Sequence, residues 1–319
     1  MKWIKLKKIF DPTQQVLNDK IVEYAQSPQV LQFDDFFRIY FSTRERDSSG
    51  KFISHIAFID IDKQFEKIIQ ISNKPVLPQG ELGCYDEHGI FPLNILREGD
   101  TILGFISGWS RRISVDVETS IGLAFSYDNG LTFQRCGNGP ILGASLEEPF
   151  LVGDPFVLKL DEIYHMWYIY GIRWLRNPEN EVRERVYKIG QATSKDKINW
   201  IKTNKQIIDD KINPDECQAL PTVVFHKGKY HMFFCYRHAI GFRNDPVKSY
   251  KIGYAWSVNA LDWNRDDEEG GLSVTEGSWD SEMMCYPHVF KCDDSVYLLY
   301  NGNSFGKFGF GIAKLDDAK

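Results

Sequence analysis

The sequence predicts an all-β fold: a five-bladed β-propeller with four antiparallel strands in each blade. Three observations lead there. Five similar segments recur at intervals of 64, 63, 66 and 66 residues, measured between Pro28, Pro92, Pro155, Pro221 and Pro287. Within each period, short apolar and aromatic runs alternate with polar turns. The two ends of the chain also complement each other, because the last period stops before its fourth strand while Trp3-Ile4-Lys5 echoes Trp200-Ile201-Lys202.

Each repeat opens with a proline entering an apolar strand, followed by a polar turn and an aromatic second strand. The segments are SPQVLQFDDFFRIYFSTR from Ser27, FPLNILREGDTILGFISGW from Phe91, DPFVLKLDEIYHMWYIYGIR from Asp154, LPTVVFHKGKYHMFFCYR from Leu220 and YPHVFKCDDSVYLLYNGN from Tyr286. Third strands follow at 121–126, 188–194, 251–257 and 308–313, and fourth strands start at the aromatic residues Phe133, Trp200 and Trp263. Blades therefore begin near 23, 87, 150, 216 and 282, residues 1–319 make a single domain, and a strand over 2–9 completes the last blade. SYDNGLTF (126–133) fits the Asp-box pattern S-x-D-x-G-x-T-aromatic. Asp128 and Gly130 are read as hairpin-turn residues with a structural task.

Composition narrows the partners. A net charge of −6 over 319 residues disfavours nucleic acid, which demands a basic face. The opening MKWIKLKKIF lacks a signal-length apolar run, and nothing later approaches a membrane span. Cys84, Cys136, Cys217, Cys235, Cys285 and Cys292 show no metal spacing, so they read as free thiols of a cytoplasmic protein. No three-ligand metal set and no cofactor motif is visible, and the oligomeric state stays open.

In a propeller the first strand of every blade lines the central channel, so first-strand starts and second-strand ends share one mouth. Immediately before the five prolines stand Ser27, Phe91, Asp154, Leu220 and Tyr286, and a residue in that position is expected to be extended. Five positions before the prolines stand Glu23, Glu87, Phe150, Glu216 and Glu282, which predicts carboxylates converging on the mouth. Second strands end at Arg44, Trp109, Arg173, Arg237 with His238, and Asn303. Acids and arginines crowded together shift one another's acidity and suit acid–base work on a polar ligand. Repetition favours a backbone-bonding role for Glu23, Glu87 and Glu282, whereas Asp154 breaks the pattern and reads as functional. The inserts 173–187 and 237–250 read as charged loops on the ligand side, covering the mouth or touching another subunit.

Gly153-Asp154-Pro155 and Glu216-Cys217 resemble inner-strand motifs of the five-bladed glycoside hydrolase-like superfamily, families 32, 43, 68 and 130 included. The closing WDSEMMCYPHVF…YLLYNGNSFGKFGFGIA resembles propellers of bacterial surface-polysaccharide clusters, O-antigen biosynthesis among them. The resemblance implies a carbohydrate-active enzyme acting at a glycosidic bond, as hydrolase, phosphorylase or transferase. It implies Asp154 as stabiliser or acid-tuning residue and Glu216 as general acid, leaving Glu23 or Glu282 as candidate base. One departure stands out: the first-blade aspartate of the hydrolases is Ser27 here. Family 130 phosphorylases use a single acid and hold phosphate with basic side chains, a task suited to Arg44, Arg173, Arg237 and His238. Glu87, Trp109, Glu282, Tyr286 and Asn303 complete the expected contacts to a carbohydrate or sugar-phosphate ligand. The alternative is a non-catalytic propeller that binds a carbohydrate or nucleotide sugar.

Overall fold

The computed structural model describes residues 1–15, 17, 21, 23–178 and 180–316. Its first strand, β1 (Trp3–Phe10), waits for the end of the chain to find a partner. Blade one holds β2 (Glu23–Gln32), β3 (Phe36–Arg46), β4 (Phe52–Asp62) and β5 (Ile68–Ile71). Blade two holds β6 (Ile90–Glu98), β7 (Thr101–Arg111), β8 (Val117–Ser126) and β9 (Gln134–Arg135). Blade three holds β10 (Val152–Leu160), β11 (Ile163–Arg176), β12 (Arg183–Ser194) and β13 (Ile201–Lys202). In blade four these are β14 (Cys217–His226), β15 (Lys229–Arg237), β16 (Lys251–Ser257) and β17 (Asn264–Arg265). Blade five is built from β18 (Cys285–Cys292), β19 (Ser295–Asn301) and β20 (Phe310–Leu315), with β1 as its outermost strand. All pairings within the blades are antiparallel, and β1 closes the ring from Trp3 opposite Leu315 to Phe10 opposite Phe310.

An aromatic seam joins the blades. A second-strand ring of one blade meets, edge to face, the ring that starts the fourth strand of the next: Tyr40 with Phe133, Phe105 with Trp200, Trp167 with Trp263 and Phe233 with Trp3. Their centroids lie 5.4 to 6.1 Å apart. Such contacts contribute about 0.5–1.5 kcal/mol each beyond the apolar area they bury. Trp3 thus occupies in blade five the place of Trp200 in blade three. The Asp-box turn belongs to this seam as well. Asp128 accepts from Thr132 N and Ser126 Oγ, and the carbonyl of Gly130 accepts from Tyr40 Oη at 2.7 Å. Gly130 has φ +80°, and a Cβ there would lie 2.0 Å from that hydroxyl.

The inner strands β2, β6, β10, β14 and β18 pack in a closed ring around the axis. Side chains of one blade accept backbone N–H groups of the next, which their own ladders leave free. His288 accepts from Val30 N, Asn94 from Val157 N, Thr222 from Val289 N, Ser107 from Asp154 N and Asn301 from Ser27 N.

Two expectations need correction. Ser27, Asp154, Leu220 and Tyr286 are left-handed rather than extended, with φ between +49° and +54°, and Phe91 precedes a cis proline. The reason is a bulge that recurs at this place in every inner strand, between Gln26 and Gln29, Ile90 and Leu93, Gly153 and Phe156, Ala219 and Thr222, and Cys285 and His288. A bulge re-aims the residue it contains. The second correction concerns 173–187, which is largely a strand hairpin: β11 runs to Arg176, β12 starts at Arg183, and Arg185 pairs with Trp174.

Candidate functional site

At the end of the ring where inner strands start and second strands finish, a cavity of about 620 Å³ opens between blades one to four, with Tyr286 from blade five. Its cations are Arg44, Lys51, Arg111, Arg112 and Arg185, and its acids are Asp154 and Asp116. Arg111 is committed to Asp47 at 2.6 Å and Arg112 to Glu118 at 3.3 Å. Arg44 and Arg185 form no ion pair among the described residues.

Arg44 comes from the end of β3, its guanidinium 5.2 Å from the ring of Tyr24 and 5.1 Å from that of Phe52. Its Nε is buried without a partner. Burial lowers its pKa, and the nearby charge of Arg185 acts in the same direction. Arg185 lies on β12, two residues before Tyr187 on the same face of the strand. Two guanidiniums that repel each other inside a partly desolvated cavity favour an anion between them.

Asp154 sits in the bulge of β10 and is 7 % exposed. Its Oδ2 accepts from Leu220 N at 3.3 Å. Burial raises its carboxyl pKa to about 7, against the opposing effects of the Leu220 N–H and Arg185. Such a group can hold a proton near neutral pH and hand it to a leaving oxygen. Aromatic surface surrounds it: Phe91, Trp109, Tyr187, Tyr250 and Tyr286 line the same cavity.

Of the residues nominated from sequence, the structure brings Asp154, Arg44, Trp109 and Tyr286 together in the cavity. The remainder lie outside its lining. Glu216 is 0 % exposed and bound to Arg265 at 2.5 Å, to the backbone N–H groups of Lys211 and Ile212, and to Gln218. It belongs to a repeated clamp, in which an acid before the inner strand grips a cation on the outermost strand of the same blade. The others are Asp86 with Arg135, Glu148 with Lys202 and Asp280 with Lys5, at 2.5 to 2.6 Å. These four acids are the equivalent positions, not the expected set of Glu23, Glu87, Phe150, Glu216 and Glu282, and they leave the mouth rich in arginine rather than acid.

Glu23 is half-buried beside Arg46 at 3.4 Å, and Glu87 caps a turn by accepting from Gly83 N. Arg173 pairs with Asp215 on the rim, and His238 is tied through its backbone to Lys248. Glu282 is exposed, and Asn303 accepts from the backbone N–H groups of Glu282 and Met283. Arg237 is buried behind the cavity wall. Sequence reasoning missed Arg185, Tyr187 and Tyr250; alternation in 183–189 carried the signal for the first two. Among the described residues no group of three His, Cys, Asp or Glu side chains could hold a metal ion, and no helix is long and apolar enough to cross a membrane.

Comparison with known proteins places the chain. It is 31% identical over 317 residues to the uncharacterized protein Rv1502 of Mycobacterium tuberculosis, covering 99% of this chain and 100% of that one. The chain belongs to the family of this mycobacterial protein. A β-1,2-mannobiose phosphorylase of Thermoanaerobacter sp. strain X514 is 26% identical over 178 residues, 52% of this chain and 54% of the enzyme. No family model matches. Among solved structures, a glycoside hydrolase superposes with a TM-score of 0.73 at 16% identity, covering 97% of this chain and 91% of its own. The shared architecture is the five-bladed propeller of glycoside hydrolases, families 43 and 32 among them.

Proposed function

We propose that this propeller is a carbohydrate-active enzyme that exchanges a glycosidic bond for a bond to phosphate. Asp154 is the acid, and Arg44 with Arg185 holds the phosphoryl group. In the breakdown direction a phosphate oxygen attacks the anomeric carbon, the bond to the leaving oxygen breaks, and the Asp154 proton moves to that oxygen. The products are a sugar 1-phosphate and a free acceptor sugar, and the reverse reaction builds the saccharide. The observation that carries this reading is one protonatable carboxyl sharing a cavity with two unpaired guanidiniums.

Two-carboxylate hydrolysis needs a second acid within about 5–10 Å of the first. Glu23 and Glu216 lie outside the cavity, Ser27 replaces the first-blade aspartate, and Asp116 is exposed at the tip of the β7–β8 hairpin. An attacking phosphate requires no such base. The partial likeness to a mannobiose phosphorylase supports the same reaction class. Trp109 and Tyr286 offer ring faces for the sugar. Six unpaired thiols support a cytoplasmic setting, and polysaccharide metabolism is the context the sequence resemblance suggests.

The test is phosphate release from a panel of sugar 1-phosphates offered with acceptor sugars. Turnover that Asp154→Asn abolishes, with sugar binding retained, supports the proposal. Glycoside cleavage that proceeds without phosphate, or full activity in Asp154→Asn, refutes it.

A further inference from the structure

Behind the cavity, at the end of β15, lies a buried cation without a carboxylate. Arg237 is 2 % exposed and forms no ion pair among the described residues. Its guanidinium stacks 3.5 Å from the centroid of the Phe242 ring. Nη1 donates to the carbonyls of His238 and Ala239 at 2.8 and 3.3 Å, Nη2 donates to Tyr187 Oη at 2.9 Å, and Nε has no partner. Tyr187 Oη lies 2.8 Å from Tyr250 Oη, and both tyrosines line the cavity.

Counting protons decides what this chain of groups presents. An arginine only donates, whereas a phenol donates one hydrogen bond and accepts up to two. Arg237 occupies one acceptor site of Tyr187, and the two phenols share one bond between them. Two phenolic protons and one mutual bond leave one O–H unspent. Tyr250 is wedged among the rings of Phe242, Tyr286 and Phe305. Tyr187 instead follows Arg185 on the same face of β12, close enough for the Arg185 charge to act on the phenol. With Tyr250 donating to it, Tyr187 receives two hydrogen bonds and its own proton is free for a ligand.

The geometry points to Tyr187 as a binding residue for the anion held by Arg44 and Arg185, with Arg237 and Tyr250 as positioning residues that aim and polarise its O–H. This rests on the phosphoryl site proposed above and adds a neutral donor to it. The two donors behind Tyr187 strengthen its own hydrogen bond, because bonds in series polarise one another. A cation buried without a carboxylate also finds partial compensation once the ligand's charge arrives.

Titration calorimetry with inorganic phosphate at pH 7 tests this. Wild type binds phosphate, and Tyr187→Phe weakens the affinity about tenfold, the size of one hydrogen bond to a charged group. Tyr250→Phe and Arg237→Met each weaken it about two- to fivefold, and these effects vanish in the Tyr187→Phe background. If Arg237→Met fails to fold, Tyr250→Phe, which removes a single oxygen, carries the coupling measurement. Wild-type affinity in Tyr187→Phe overturns the assignment while leaving the phosphoryl site standing. Equal effects of Tyr250→Phe in both backgrounds overturn the positioning role. Failure of the wild-type protein to bind phosphate removes the underlying site and this inference with it.

Discussion

Replacing Asp154 with asparagine tests the site without any substrate. The carboxyl is 7 % exposed, and burial moves its pKa from 3.8 to about 7. The folded protein therefore binds a proton across this window that the unfolded chain has already released. Stability contributed by the protonated form is full at low pH and is lost as the pH rises from about 4 to above 7. At about 1.4 kcal/mol for each pH unit, the loss between pH 4 and pH 8 comes to about 4 kcal/mol. Asparagine removes the titration, can still accept from Leu220 N, and tolerates the left-handed backbone at this position. Urea unfolding of both proteins at pH 4, 6 and 8 gives the comparison. Asp154→Asn gains on wild type as the pH rises, by about 3–4 kcal/mol over the range. A constant difference between the two proteins at all three values would mean that Asp154 titrates normally, and its role as acid would fall.

Arg44→Met removes a guanidinium that no protein carboxylate neutralises, and phosphate affinity measured by calorimetry falls about 30-fold or more. Arg185→Met has the same direction and also removes a charge that holds the Asp154 pKa down, so the alkaline limb of the pH–rate profile moves to higher pH. Glu216→Ala breaks a buried ion pair with Arg265 and costs about 3–5 kcal/mol in urea unfolding, while turnover per folded molecule is unchanged. Trp3→Ala deletes the ring against Phe233 and the bond from its Nε1 to Gly270 O. It costs about 3 kcal/mol, seen as a lowered urea midpoint.

The period of the repeat is set by packing that recurs in every blade, so the sequence displays it openly. Prolines at the inner-strand bulge and aromatics at the seam recur because the same contacts recur, and Trp3 betrays ring closure for that reason. The cavity is where the repeat fails, and there the sequence is less legible. Asp154 stands out as an exception to a pattern. Glu216 looks similar in sequence, yet a shift of one or two residues hides its partners Asp86, Glu148 and Asp280, and only their ion pairs show that all four do the same structural work. Arg185 and Tyr187 lie in a stretch dense with charge, where strand alternation competes with the pattern of a solvated loop. Arg237 is visible as a strand-end arginine, but its depth depends on the rings of Tyr187, from β12, and of Phe242 and Tyr250, from the loop that follows it.

The pairing of β1 with β20 also has a temporal side. Translation at about 5–20 residues per second leaves β1 without its neighbour for about 15–60 s, until β20 emerges. The three lysines of β1, Lys5, Lys7 and Lys8, discourage a premature match with some other growing sheet edge. The blades in between can assemble as they leave the ribosome, but the circle stays open until the final strand arrives. A ribosome stalled before β20 would therefore hold β1 and β19 apart, without the strand that joins them.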